Sequence, residues 1–193
     1  MSKATKKPGK LIIIVAPSGS GKSTLLTRLK SDFPQLCESV SYTTRAKRPG
    51  EEHGKHYFFV DEPEFLKIRG RGEFLEWALV HGDYKGTSIK FVQEHLDCGT
   101  PLIFDLDVQG ADFFKKAFPN VAKVIFISPP SLAELEKRLR HRHTETEESI
   151  QLRLKNAEKE LERMHDYDYN ILNDNIEKAY SELFRIVSEI LER

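Results

Sequence analysis

The chain has 193 residues, 39% hydrophobic and 31% charged, with 30 basic side chains balanced by 30 acidic ones. That length suits one domain with a sizeable core, and the neutral balance argues against a nucleic-acid partner, which a basic excess would announce. No apolar run approaches the ~20 residues that cross a bilayer, and the two cysteines, Cys37 and Cys98, lack CxxC spacing, so reduced thiols in a cytoplasmic chain that meets no membrane are expected.

Residues 1–9 are basic and polar, too short of apolar residues for a signal peptide, and are expected to be a disordered leader. "LIIIVA" reads as a buried strand and "KSTLLTRLKSDF" as a helix with Leu25, Leu26 and Leu29 inward. After "CESVSYTT", the stretch from Arg45 to Lys55 reads as a loop. "HYFFV" follows as a short strand, and "DEPEFLKIRG" as a helix capped by Asp61 and ended at Gly70. Next come a strand in "GEFLEWALV" and a helix in "SIKFVQEHLDCG" closed by Gly99. The last third alternates strand "PLIFDLD", helix Val108–Phe118 and strand "VAKVIFIS". "SLAELEKRLRHR" opens on Ser131 and Glu134 at capping-box spacing, a second helix spans "TETEESIQLRLKNAEKELERM", and strand "YNILND" leads into a terminal helix from Asn175. Apolar strands alternating with helices predict an α/β fold, a parallel sheet covered on both faces. The middle third reads as an insertion on that core.

Between the first strand and helix lie Ala16, Pro17, Ser18, Gly19, Ser20, Gly21, Lys22, Ser23 and Thr24. This is the phosphate-binding loop pattern GxxxxGK[ST] in its required strand-to-helix setting, with alanine at its head. Backbone N–H groups and the helix N-terminus would wrap a nucleoside triphosphate. Lys22 would reach the β- and γ-phosphates, and Ser23 would ligate Mg²⁺. Alanine adds one methyl, tolerable if it points away from the ligand.

Arg45 and Arg48 lie three apart among the hydroxyls of Ser41, Tyr42, Thr43, Thr44 and Tyr57, a second anion site if the loop is more than a solvated basic stretch. Asp105 and Asp107 end an apolar strand on one face, toward the carboxyl end of the sheet, where ligands bind in such folds. Asp105 is a candidate for holding a water of the Mg²⁺ shell; Asp107 suits metal as well, and helix capping is a further use for both.

The stretch from Ser39 to Glu51, with "GKHYFFV", "GEFLEWA", "DYKGTS", "IFDLDVQG", "ISPPS", "KRLRHRHTETEESIQLRL" and "ILND", resembles the guanylate kinase family from Leu11 to Arg193. The resemblance implies a P-loop NTPase fold: a core of about 10–40, 88–130 and 165–193, a GMP-binding insertion over about 41–87, and a helical lid over about 131–164. It implies transfer of the γ-phosphoryl of ATP to GMP or dGMP with Mg²⁺. Arg45, Arg48 and Tyr57 would hold the GMP phosphate, and Ser41, Glu76, Gly86, Thr87 and Asp107 the rest of GMP. Guanine offers N1–H and an exocyclic amine, which suits a carboxylate such as Glu76. Arg138, Asn173 and Asp174 would lie on the ATP side, while Lys22, Arg48, Arg142 and Arg153 would neutralise the charge of transfer. Lys85 stands where the family often has a second tyrosine, and His141 and His143 stand where glycine is frequent. Two rivals are a non-catalytic binding module of the same fold, which predicts a damaged P-loop, and a kinase for another small phosphorylated acceptor. Oligomeric state is open.

Overall fold

The computed structural model describes residues 9–80, 82–141 and 146–192. The chain runs through β1 (Leu11–Val15), α1 (Lys22–Asp32), β2 (Cys37–Glu38), β3 (Tyr42–Thr43), β4 (Phe58–Phe59), α2 (Glu62–Gly70), β5 (Phe74–Val80) and β6 (Asp83–Ser88). It continues through α3 (Ile89–Cys98), β7 (Leu102–Asp105), α4 (Val108–Ala117), β8 (Ala122–Ser128), α5 (Leu132–Arg140), α6 (Glu147–Glu162), a 3₁₀ turn at Met164–Asp166, β9 (Tyr169–Leu172) and α7 (Ile176–Glu192). Residues 1–8 of the expected leader lie outside the described residues. Gly9 itself is buried and donates to the Leu96 carbonyl at 3.2 Å.

Five strands form a parallel sheet in the order β2-β7-β1-β8-β9. β1 is central and fully buried, and its period of two divides it between two cores. Ile12 and Ile14 meet Leu25 and Leu29 of α1 and Leu183, Ile186 and Val187 of α7. Leu11, Ile13 and Val15 meet Val92 of α3 and Ala111 and Phe114 of α4. Each buried Leu or Ile side chain contributes about 1.5–3 kcal/mol, which is why a strand with no polar position sits at the middle. The fold is the expected α/β type, a parallel sheet flanked by helices. The helix starts are set by side chains: Asp61, Ser88, Asp107, Ser131 and Thr146 each accept the backbone N–H three residues on. Such caps contribute about 1 kcal/mol apiece.

A second, four-stranded sheet has the order β4-β3-β6-β5, with β3–β4 parallel and the other pairs antiparallel. α2 covers one face through Phe65 and Ile68, against Phe74 of β5. A Cβ on Gly86 would lie 3.0 Å from the Phe74 ring and 3.1 Å from Phe65, so any larger residue there would have to push these rings back. The opposite face carries Glu76, Ala78, Val80, Asp83 and Lys85 toward the first sheet. β6 lies in a polar stretch with no apolar alternation; pairing on both edges makes it a strand. α2 contains Gly70 as its last residue, and the left-handed residue beyond it is Gly72 (φ 68°) rather than Gly70.

Candidate functional site

The loop from Ala16 to Ser23 leaves the carboxyl end of β1 and turns into α1 at Gly21, which has φ 88° and no side-chain cap. A Cβ there would lie 2.4 Å from Asn173 Nδ2, so glycine is required by angle and by space. Asn173, buried at the end of β9, donates from Nδ2 to the Ser20 carbonyl at 2.6 Å and holds the loop from beneath. Arg138 Nη2 donates to the Asn173 carbonyl at 3.2 Å and Nε to Glu134 at 3.4 Å, tying α5 to the same point. Leu135 and Leu139 of α5 stand against Gly19. Ala16 packs against the core under α1 and α7 while also bordering the cleft.

That open side forms part of one cleft of about 900 Å³ between the two sheets and α6. Ala16, Pro17, Ser18, Gly19, Gly21, Lys22, Ser23 and Thr24 line one wall. Lys22 pairs with Asp105, the last residue of β7, and both face the cleft. Asp107 has left the strand: one of its oxygens caps α4 by accepting the Gly110 N–H at 2.9 Å, yet its residue still lines the cleft.

Opposite lie Ser41, Arg45, Arg48 and Tyr57. Glu51 organises them. Its Oε1 accepts from Arg45 Nη2 at 2.7 Å and its Oε2 accepts the Arg48 backbone N–H at 2.8 Å, and the Arg45 hydrogen bond holds its carboxyl below the usual range. Arg48 keeps its side chain exposed. Arg45 sits 5.6 Å from the centre of the Tyr57 ring, whose hydroxyl is kept protonated by burial.

Glu76 on β5 is paired in register with Thr87 on β6, and the buried Thr87 hydroxyl donates to Glu76 Oε1 at 2.6 Å. Burial lifts the Glu76 carboxyl to about 6, against the pull of Thr87, with Asp107 adding to the rise. Glu76 lines the cleft, so its carboxyl is open there to an N–H-bearing edge.

From the third side α6 presents Arg153, Asn156 and Glu160 at i, i+3 and i+7, with Lys159 beside them. Arg153 Nη1 donates to Ser18 Oγ at 2.5 Å. Burial pushes the Glu160 carboxyl up to about 7, opposed by Lys22. Asn156, Lys159 and Glu160 escaped the sequence reading, although their spacing from Arg153 was the available signal. Of the expected site residues, Ser20, Gly86, Thr87, Arg138, Asn173 and Asp174 do not line the cleft: Ser20, Thr87 and Asn173 support it from behind, and Gly86 faces α2. Arg142 and His143 lie outside the described residues.

A P-loop on a parallel sheet, with an arginine-bearing wall facing it across one cleft and α6 on the third side, is the arrangement of a phosphotransferase of the P-loop class. A sequence model of the guanylate kinase family matches residues 8–190. Over 180 residues the chain is 47% identical to a guanylate kinase of Aromatoleum aromaticum, covering 93% of this chain and 88% of that protein. Over 177 residues it is 48% identical to a guanylate kinase of Oleidesulfovibrio alaskensis, covering 92% and 85%. The crystal structure of guanylate kinase from Anaplasma phagocytophilum superposes with a TM-score of 0.78 at 33% identity, covering 98% of this chain and 89% of that one. The chain belongs to the guanylate kinase family.

Proposed function

We propose that the chain transfers the γ-phosphoryl group of ATP to GMP or dGMP, releasing ADP and the nucleoside diphosphate. The observation that carries this reading is the shared cleft: the P-loop with Lys22 on one wall, Arg45, Arg48 and Tyr57 on the other, and Glu76 with Thr87 beside them. A phosphate held by the arginines faces a triphosphate held by the loop, so one acceptor oxygen attacks the γ-phosphorus in line without a covalent enzyme intermediate. Phosphoryl transfer is mostly positioning and charge neutralisation; Lys22, Arg48 and Arg153 would supply the charge, joined by Arg142. Ser41, Glu76 and Thr87 would read guanine, because an ionised Glu76 accepts from its N1–H and exocyclic amine, whereas adenine presents the reverse pattern at that edge. Gly86 would contribute through its backbone and Asp107 through its free oxygen.

The donor set also fits Mg²⁺, which takes few protein ligands beside phosphates and retains waters: Ser23 offers a hydroxyl and Asp105 a carboxylate on the same wall as Lys22. When bound, the ion supplies positive charge to the β- and γ-oxygens; Ser23 would ligate it and Asp105 hold one of its waters. On the ATP side Arg138 and Asp174 would flank adenine, with Asn173 acting through the loop it holds. Residues 41–87 are then the acceptor-binding part and 131–164 the lid, whose closure keeps water from ATP. The reading places the chain in the cytoplasm, with ATP; among the described residues no helix is long and apolar enough to cross a membrane.

The test is ADP release from Mg²⁺-ATP with GMP, dGMP, AMP, CMP and UMP offered separately. Turnover with GMP and dGMP alone is expected. Equal turnover with AMP would remove the guanine-reading role of Glu76, and silence with every acceptor would remove the enzyme.

A further inference from the structure

α6 meets the core at its last turn, away from the cleft. Arg163, which ends α6, donates from Nη1 to Asp112 Oδ2 at 2.7 Å and from Nη2 to Asp112 Oδ1 at 2.9 Å, a bidentate pair with α4. Its Nε donates to Asp166 Oδ2 at 3.2 Å, so all three guanidinium nitrogens are engaged. The Tyr167 hydroxyl donates to Asp112 Oδ1 at 3.3 Å, and its ring centre stands 5.7 Å from the guanidinium carbon. That ring stacks on Phe126 of β8, with 5.9 Å between centres and 9° between planes. Lys115, on the next turn of α4, donates to the Asp166 carbonyl. None of these residues lines the cleft. Along its length α6 rests on α5 through Ile150 and Ala157 against Leu135 and Leu139, contacts without directional preference. Arg140 joins the first turn of α6 to α5 through Glu147; the Arg163 fork joins its last turn to α4.

We propose that the Arg163–Asp112 pair positions Arg153 for the reaction by fixing the tilt of α6 over the cleft. The inference rests on the reading of that cleft as a phosphoryl-transfer site. Arg153 lies about 15 Å from Arg163 along a helix that rises ~1.5 Å per residue. A tilt of about 10° around that end swings Arg153 by about 2.6 Å. A misplacement of about 1 Å already costs on the order of a hundredfold in rate, and the Arg153–Ser18 hydrogen bond of 2.5 Å leaves no such slack. A guanidinium fork on a carboxylate fixes angle as well as distance, which an apolar contact does not. The pair is also partly open to water, with side-chain exposures of 36% and 43%, so it adds little to stability. Its use lies in direction, and rate and stability therefore separate when it is cut.

The experiment compares wild type with Arg163→Met, Arg163→Lys, Asp112→Asn, Arg153→Met and the Arg153→Met/Arg163→Met double variant. Initial rates, GMP calorimetry, thermal melts and amide hydrogen exchange of α6 are read for each. Arg163→Met is expected to lower kcat about tenfold or more, with GMP affinity within about twofold of wild type and Tm within a few degrees. Lysine keeps the charge without the fork and should rescue little; Asp112→Asn should show the same pattern as Arg163→Met. The double variant should be no slower than Arg153→Met alone, because the pair acts through Arg153. Losses that multiply in the double variant overturn the proposal, as does a kcat for Arg163→Met or Arg163→Lys within about twofold of wild type. It is equally overturned if Asp112→Asn and Arg163→Met lose GMP affinity and Tm along with kcat, since the pair would then merely hold the fold together. A wild-type protein silent with every acceptor sinks the activity reading, and hydrogen exchange then decides. Faster exchange over α6, with α1 unchanged, in both pair variants supports the fixed tilt; unchanged protection refutes it.

Discussion

Replacing Glu76 by glutamine should make the protein more stable and a poorer GMP kinase at once. Glu76 is turned into the cleft on β5, where burial outweighs the Thr87 hydrogen bond and lifts its carboxyl from 4.5 to about 6. A raised carboxyl pKa means that the folded state holds the proton more tightly than the unfolded chain. The stability tied to that proton is complete below about pH 4.5 and is lost as pH rises through about 6. A rise of that size corresponds to about 2 kcal/mol of unfavourable charge burial at neutral pH. Glutamine keeps the shape, still accepts from Thr87 and carries no charge. The variant should therefore gain about 2 kcal/mol at about pH 7.5, or about 4–8 °C in Tm for a chain of this length, and nothing at about pH 4.5. Urea denaturation of both proteins across that range measures the difference directly. Guanine, by contrast, meets a new donor where it needs a second acceptor, so kcat/KM for GMP should fall at least about tenfold. For the same reason, wild-type KM for GMP should rise as pH falls through about 6, where Glu76 gains its proton. A stability difference that does not change with pH, or a variant that still prefers GMP to AMP as wild type does, would refute the electrostatic account of Glu76.

Two further outcomes follow from the P-loop. Lys22→Met should lower kcat at least about a hundredfold while leaving Tm within a few degrees, because the Lys22–Asp105 pair is partly exposed and such pairs contribute less than about 1 kcal/mol; turnover within tenfold of wild type would contradict the assignment. Asn173→Ala removes the buried hydrogen bond to the Ser20 carbonyl, so a loss of about 1–3 kcal/mol and a raised KM for ATP at unchanged KM for GMP are expected from thermal melts and initial rates. An unchanged KM for ATP would mean that the loop holds its shape without Asn173.

Much of the core was legible because local chemistry agreed with the global fold. β1 has no polar residue and could only be central; Ser131 and Asp61 announced helix starts that their side chains do cap. β6 was not legible. "DYKGTS" carries the polar residues of a binding face, and only pairing with β3 and β5 makes it extended. α2 begins after Asp61 and ends at Gly70, as its cap and its glycine indicated.

The same division runs through the site. A phosphate-binding loop is contiguous, so residues 16–24 specify the turn and the start of the helix together, and the sequence alone determined that this chain carries a nucleotide-binding P-loop. The arginines and Glu76 were found by their likeness to a family, since a basic loop or an acidic strand residue means little locally. Tertiary structure alone decided how side chains of the same type differ in environment. Asp105 pairs with Lys22 while Asp107 turns back to cap a helix; Asn173 is drawn under the P-loop; Glu51 is bound between two arginines; Lys85 stands over Tyr57. Charge, burial and hydrogen-bond partners are set by residues far apart in the chain, and those three quantities, not residue identity, fix which groups titrate, which hold and which bind.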